Sequence, residues 1–305
     1  MNHMFLNAGK FNQNLGEWDI SSVTNMNYMF HSADAILATF ASNTALLATP
    51  EPEEWATYWY TYVPADAAAL KAAVDCWCSD DGASLECGDD VSAPTDYHND
   101  IAYWDTSGVT DMTGLFENES DCNPDIGEWD VSNVKDMYGM FNWAFAFNQA
   151  IGAWDTSGVT SIEDMFLGAR SFDQSLNDWD ISSVTDMSWM FQDASAFNKP
   201  LDAWNPASVT AMDGMFYNAT SFNQPLSAWS FPSVTRMHSM FRYAKAFDQD
   251  LGWCVDADMV LAINDQPDDV SSLFYETPCA ATSCGVAQED ANGTCPAPTA
   301  LPTSV

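Results

Sequence analysis

Apolar positions along this chain follow two local periods laid end to end, and the pair recurs every 25 residues. The stretches "SFDQSLNDWDISSVTDMSWMF" (171–191) and "SFNQPLSAWSFPSVTRMHSMF" (221–241) share their apolar residues, while nearly every polar residue differs. Trp104, Trp129, Trp154, Trp179, Trp204 and Trp229 keep a step of 25, as do Val109, Val134, Val159, Val184, Val209 and Val234. Phe116, Phe141, Phe166, Phe191, Phe216 and Phe241 form a third column, and Phe147, Phe172, Phe197, Phe222 and Phe247 a fourth. In each copy the first half, such as Leu176, Trp179 and Ile181, has the L-x-x-L-x-L spacing of a leucine-rich-repeat strand. The second half, Val184, Met187, Met190, Phe191 and Ala194, is spaced by threes and fours, which predicts one short helical turn. Ser182, Ser183 and Asp186 are placed to cap that turn. Asn198, Lys199 and Pro200 then return the chain to the next strand.

One strand and one turn cannot bury their own apolar face, whereas stacked copies bury each Trp, Met and Phe on its equivalent in the next copy. The predicted fold is an α/β repeat solenoid, leucine-rich-repeat-like, with one short strand and one short helical turn per 25-residue coil. A mainly helical insertion and disulfide-bonded caps complete it. Six copies at strand spacing would extend about 30 Å.

The pattern F-N-Q-x-L-x-x-W-D-x-S-S-V-T-D-M-x-x-M-F-x-x-A resembles the repeat of BspA-like leucine-rich-repeat surface proteins, over residues 1–36 and 97–252. The resemblance implies a secreted or cell-surface protein linked with adhesion, and it brings no catalytic residues.

Residues 1–36 read as the end of a preceding repeat block, 37–96 as a helical interruption and N-cap, and 97–252 as the main solenoid. A Cys-rich C-cap over 253–296 and a Pro/Thr/Ser-rich tail over 297–305 follow. "MNHMF" aligns with "MNYMF" at 26–30, so the chain is expected to begin in mid-coil. That start implies either a fragment of a longer protein or an open end that meets another molecule, and it accounts for the absent signal peptide. In the interruption, "PADAAALKAAVDCW" predicts a helix with Leu70, Ala73, Val74 and Trp77 on one face. It is similar to the lead-in helix that precedes repeat blocks in the resembled family.

Charge and cysteine content narrow the setting. The formal charge is −36, from 44 acidic residues against 8 Lys plus Arg, which disfavours nucleic acid and anionic membrane as partners. The eight cysteines are Cys76, Cys78, Cys87, Cys122, Cys254, Cys279, Cys284 and Cys295. With the sequons at Asn118, Asn218 and Asn292 they place the chain on the secretory route, extracellular or at the cell surface. Cys122 replaces the Phe of its column and is set to tie the first coil to the cap through Cys76, Cys78 or Cys87. A zinc site lacks a matched second ligand pair. No apolar run is long enough to insert directly into a membrane.

Candidate chemistry is sparse. The four histidines are scattered, and G-x-S-x-G, a phosphate-binding Gly loop and H-E-x-x-H are all missing, so the chain reads as no enzyme. Asp105, Asp130, Asp155 and Asp180 share one column as an acidic ladder. Such a ladder would hold Ca²⁺ through hard oxygen ligands, or each Asp would accept hydrogen bonds from its own turn. Asn205 and Ser230 continue the column without charge, which weighs toward turns. No cofactor is required on either reading.

Candidate aromatic binding positions are Trp55, Trp59, Tyr103, Trp143, Tyr217 and Tyr243, although for the Trp55–Trp59 stripe packing is the commoner role. Two functions follow. The first is a non-catalytic structural or adhesive protein, a subunit assembled end to end into a cell-surface filament or layer. The second is a glycan- or protein-binding surface receptor or adhesin module. Partners on either reading are copies of the chain or other extracellular proteins and glycans.

Overall fold

The computed structural model describes residues 63–79, 101–255, 273–281 and 283–288. All belong to one of the chain's two compact units, Val63–Ala93 with Asp100–Val305. From 101 to 255 the chain winds through coils that lie side by side in parallel. Asp111 bridges Asp136, and the bridges continue from Asp136 to Ser161, Asp186, Ala211 and Arg236.

The local structure of each coil differs from expectation in both halves. The predicted helical turn is a run of β-turns. The Leu115, Glu117 and Glu119 N–H groups donate to the carbonyls of Met112, Gly114 and Phe116 at 3.2, 3.0 and 3.1 Å. Gly114 and Asn118 occupy the third positions of the outer turns with φ of 58° and 66°, the left-handed conformation a type II turn requires. These residues rotate the intervening peptides, so the N–H groups of Met112, Gly114, Phe116 and Asn118 reach the next coil. They donate to Asp136, Tyr138, Met140 and Asn142 at 2.8–2.9 Å. An α-helix would spend those donors within its own turn. Spacings of three and four residues fit either arrangement, which is why periodicity alone pointed to a helix.

The predicted strand Leu176–Ile181 holds a turn instead, closed by the Trp179 N–H on the Leu176 carbonyl at 3.1 Å. Extended pairing falls one segment later, at Asp186.

Side-chain ladders reinforce the backbone ladder. Phe116, Phe141, Phe166, Phe191, Phe216 and Phe241 stack with centroids 5.4–5.6 Å apart. The second Phe column stacks at 5.9–6.0 Å. Buried Trp residues satisfy their polar atoms: Trp129, Trp154, Trp179, Trp204 and Trp229 donate Nε1–H to carbonyls one coil back at 2.8–3.1 Å. At one corner the Oδ1 atoms of Asn123, Asn148, Asp173, Asn198 and Asn223 each accept the backbone N–H of the same position in the next coil.

Both ends of the stack are covered. Helix α1, Ala67–Ser79, starts at Asp66, whose Oδ1 accepts the Ala69 N–H at 2.8 Å as an N-cap. It buries Leu70, Ala73 and Val74. Cys78 is joined to Cys122, closing a 44-residue separation that stabilises the fold by about 4 kcal/mol in the loop-entropy account. At the other end Phe241 and Tyr243 donate to the carbonyls of Leu273 and Tyr275 at 3.1 and 2.8 Å, continuing the ladder into the cap. Strands β1 (Cys254–Val255) and β2 (Ala287–Gln288) pair in parallel there, beside the Cys279–Cys284 disulfide. Cys76 and Cys254 are also disulfide-bonded, while Cys87 and Cys295 lie outside the described residues. No helix among the described residues is long and apolar enough to cross a membrane.

Candidate functional site

The two left-handed positions of each coil turn their side chains toward one edge of the stack. The first column reads Gly114, Gly139, Asp164, Trp189, Gly214, Ser239, and the second Asn118, Trp143, Gly168, Asp193, Asn218, Tyr243. Where a Trp occupies a column, the same position in the next coil is Gly. A Cβ on Gly168 would lie 2.6 Å from Trp143 Cε3, and one on Gly214 would overlap the Trp189 ring. Each indole therefore lies over bare backbone.

Aromatic residues gather on this edge, half-buried at Trp143, Trp189, Tyr217 and Tyr243 and exposed at Tyr275. Trp143 meets Phe145 edge-on at 5.8 Å, and the Arg170 guanidinium lies 4.4 Å over the Phe145 ring. Farther along, Trp189, Tyr217, Tyr243 and Tyr275 form a row with centroid separations of 6.2, 5.3 and 5.6 Å and planes inclined at 64°, 85° and 89°. The Arg242 guanidinium sits 5.1 Å from the Tyr243 ring and 4.7 Å from the Tyr275 ring. Hydrogen bonding to the Tyr243 hydroxyl at 3.3 Å is the main effect holding its pKa above the ordinary arginine value. Of the aromatic positions singled out from the sequence, Tyr217 and Tyr243 stand in this row and Trp143 beside Phe145, while Trp189 and Tyr275 were not among them. Trp189 sits where the helical reading put an ordinary variable position, and Tyr275 lies where the repeat has decayed. The Tyr243 and Tyr275 columns become adjacent only because the ladder continues into the cap. Trp55 and Trp59 lie outside the described residues, as does the side chain of Tyr103.

The acidic ladder is engaged in turns. Oδ1 of Asp105, Asp130 and Asp155 accepts both the backbone N–H and the hydroxyl of Ser107, Ser132 and Ser157 respectively, at 2.6–3.1 Å. Asp180 accepts the Ser182 N–H at 2.9 Å. The serine bonds hold the carboxyls of Asp155 and Asp180 below the usual range. One group of three metal-ligand-type side chains converges among the described residues, Asp248 with Cys279 and Cys284. Its two cysteines are joined to each other, which removes both as thiolate ligands.

Carboxylates of a different kind lie on the aromatic edge. Burial, then the charges of Asp186 and Asp164, raises the Glu163 carboxyl. Burial raises the Asp164 carboxyl as well, against the opposing hydrogen bond from Tyr138. Of the sequons, Asn118 is exposed. Asn218 is half-buried, and its amide donates to Asp193 Oδ1 at 2.5 Å. Asn292 lies outside the described residues.

A family model described as Mycoplasma protein of unknown function, DUF285, matches residues 1–45, 90–190 and 149–254. The last two matches overlap over 149–190, as happens when successive copies of one repeat each fit the same model. No curated protein and no solved structure matches the chain.

Proposed function

The chain belongs to the family described as Mycoplasma protein of unknown function, DUF285, and from that premise we propose that it is a non-catalytic extracellular adhesive repeat protein. In this reading a leucine-rich-repeat-like solenoid, akin to the BspA-like surface proteins whose repeat it resembles, holds one binding edge rigid. The observation that carries the reading is the row Trp189, Tyr217, Tyr243 and Tyr275 with Arg242 against its last two rings. Tyr, Trp and Arg dominate the energetically important centres of protein contacts. Here they sit on a backbone already fixed by bonds between coils, so little ordering entropy is lost on binding.

Disulfides at Cys78–Cys122 and Cys279–Cys284, with an exposed sequon at Asn118, support an oxidising, extracellular setting. Partners are extracellular proteins, glycans or further copies of the chain, and no cofactor is needed for such a role. In this reading the ladder aspartates serve as acceptors for their own turns. Contact through the edge is favoured over end-to-end assembly, since α1 covers one end of the described stack and residues 273–275 the other.

Fluorescently labelled full-length protein is expected to adhere to intact cells of its source. Replacing Tyr217 and Tyr243 together by Ala should remove most of that attachment while the melting transition persists. Equal attachment of a folded double variant would sink the proposal.

A further inference from the structure

The charge distribution around the aromatic row carries a statement about its ligand that rests on the binding role just described. We propose that the row Trp189, Tyr217, Tyr243 and Tyr275 binds an extended, uncharged oligosaccharide chain.

Two fields select against charged ligands. A net charge of −36 repels polyanions at long range. Polycations are drawn to the molecule as a whole, but at this row the cation position is already taken. Arg242 sits within 5.1 Å of the Tyr243 centroid and 4.7 Å of that of Tyr275, and a second cation over the same rings meets like charge. The ligand that escapes both penalties is neutral.

Among neutral ligands, the row matches one with apolar faces and hydrogen-bonding rims. Tyr and Trp present an apolar body with a polar tip, and a pyranose presents a C–H face ringed by hydroxyls. A purely apolar surface would strip water from the phenol hydroxyls and from the guanidinium donors not already bonded to Tyr243. Ring centroids recur every 5.3–6.2 Å along the row with faces and edges alternating, so a ligand running along it meets apolar faces and polar tips in turn.

The rings are also held in place. Trp189 N–H donates to Asp213 at 2.7 Å, the Tyr217 carbonyl accepts from Asp193 at 2.9 Å, and Tyr243 N–H donates to Tyr275 at 2.8 Å. Trp189 and Tyr243 keep φ of 58° and 63°, a conformation bulky residues rarely adopt, and one the surrounding ladder must enforce. The Arg242 Nε is buried without a hydrogen-bond partner, so packing the guanidinium between the rings was retained at the expense of that donor.

Isothermal titration of the full chain with cellohexaose, laminarihexaose, mannohexaose and chitohexaose tests this, with a heparin hexasaccharide and a lysine hexapeptide as charged comparisons. At least one neutral hexaose is expected to bind, with little change in affinity between low and high salt. Tyr217→Ala and Tyr243→Ala should each weaken it about tenfold or more. Tyr217→Phe and Tyr243→Phe, which keep the ring and its packing, should stay much closer to wild type and guard against loss of fold. Binding by none of the four neutral chains, binding unchanged in both Ala variants, or tighter binding of either charged probe would overturn the proposal. Loss of cell attachment in the double variant without any hexaose binding would leave the adhesive role standing and point to a protein partner.

Discussion

At the scale of single residues, the unusual feature is a bulky side chain in the left-handed region above a glycine. Trp189 has φ of 58° and its ring covers Gly214, itself at φ 56°. Such a conformation costs an L-residue roughly 1–3 kcal/mol, and the cost is met because Trp189 is fixed on both sides. Its N–H donates to Asp213 at 2.7 Å and its carbonyl accepts from Gln192 at 3.0 Å. Gly214→Ala adds a Cβ where the indole lies and places Ala at positive φ. It should destabilise the fold by about 2–4 kcal/mol in urea unfolding. In a Trp189→Gly background the same change should cost at least about 1 kcal/mol less, because the obstruction has gone. Strict additivity of the two substitutions would show that the ring is not the obstacle.

At the scale of the repeating element, the ladders decide register. Asn198 Oδ1 accepts the Asn223 N–H at 2.9 Å and the Gln224 amide at 2.9 Å. Asn198→Ala strands the Asn223 N–H, while the Gln224 amide keeps the Asn198 carbonyl at 3.0 Å, and should cost about 1–3 kcal/mol in chemical denaturation. Asn198→Asp keeps the acceptor, as Asp173 does one coil earlier at 2.9 Å, and should cost clearly less. A loss for Asp equal to that for Ala would remove the ladder bond as the cause. This corner also shows what was legible in the sequence. The Trp, Val and Phe columns, the 25-residue step and the buried face of α1 followed from periodicity, because burial depends only on spacing. The conformation between those positions did not. Gly114, Gly139 and Gly214 share a column and argue for positive φ inside the supposed helix. The second left-handed column mixes Asn118, Gly168, Asp193 and Asn218, types that tolerate positive φ, with Trp143 and Tyr243, which the ladder must hold there. The aromatic row was half visible for the same reason: which rings are neighbours depends on how the turns aim them.

At the scale of the whole molecule, electrostatics oppose folding at neutral pH, and the opposition has a local component. Asp164 is half-buried, with Oδ1 lacking a hydrogen-bond partner, and burial raises its carboxyl above the ordinary value. Glu163 beside it is raised chiefly by burial and then by the charge of Asp186. A carboxyl that binds its proton more tightly in the folded chain favours folding when protonated, and this stability is lost as pH rises through its folded pKa. Asp155 and Asp180, lowered by their serine bonds, act oppositely: their contribution holds above the unfolded pKa and disappears as acidification passes through the folded one. The melting temperature is therefore expected to climb as pH falls from 7 toward about 4.5, then turn over below roughly 3.9. General relief of the −36 charge drives the first limb the same way, so the local part needs isolating. High salt screens exposed charges at a distance but acts weakly on a half-buried carboxylate. In high salt the wild-type climb should persist, and Asp164→Asn should flatten it while raising the melting temperature at pH 7. If Asp164→Asn leaves the salt-resistant climb unchanged, Asp164 does not carry it. If high salt abolishes the climb altogether, the pH response belongs to the surface field alone.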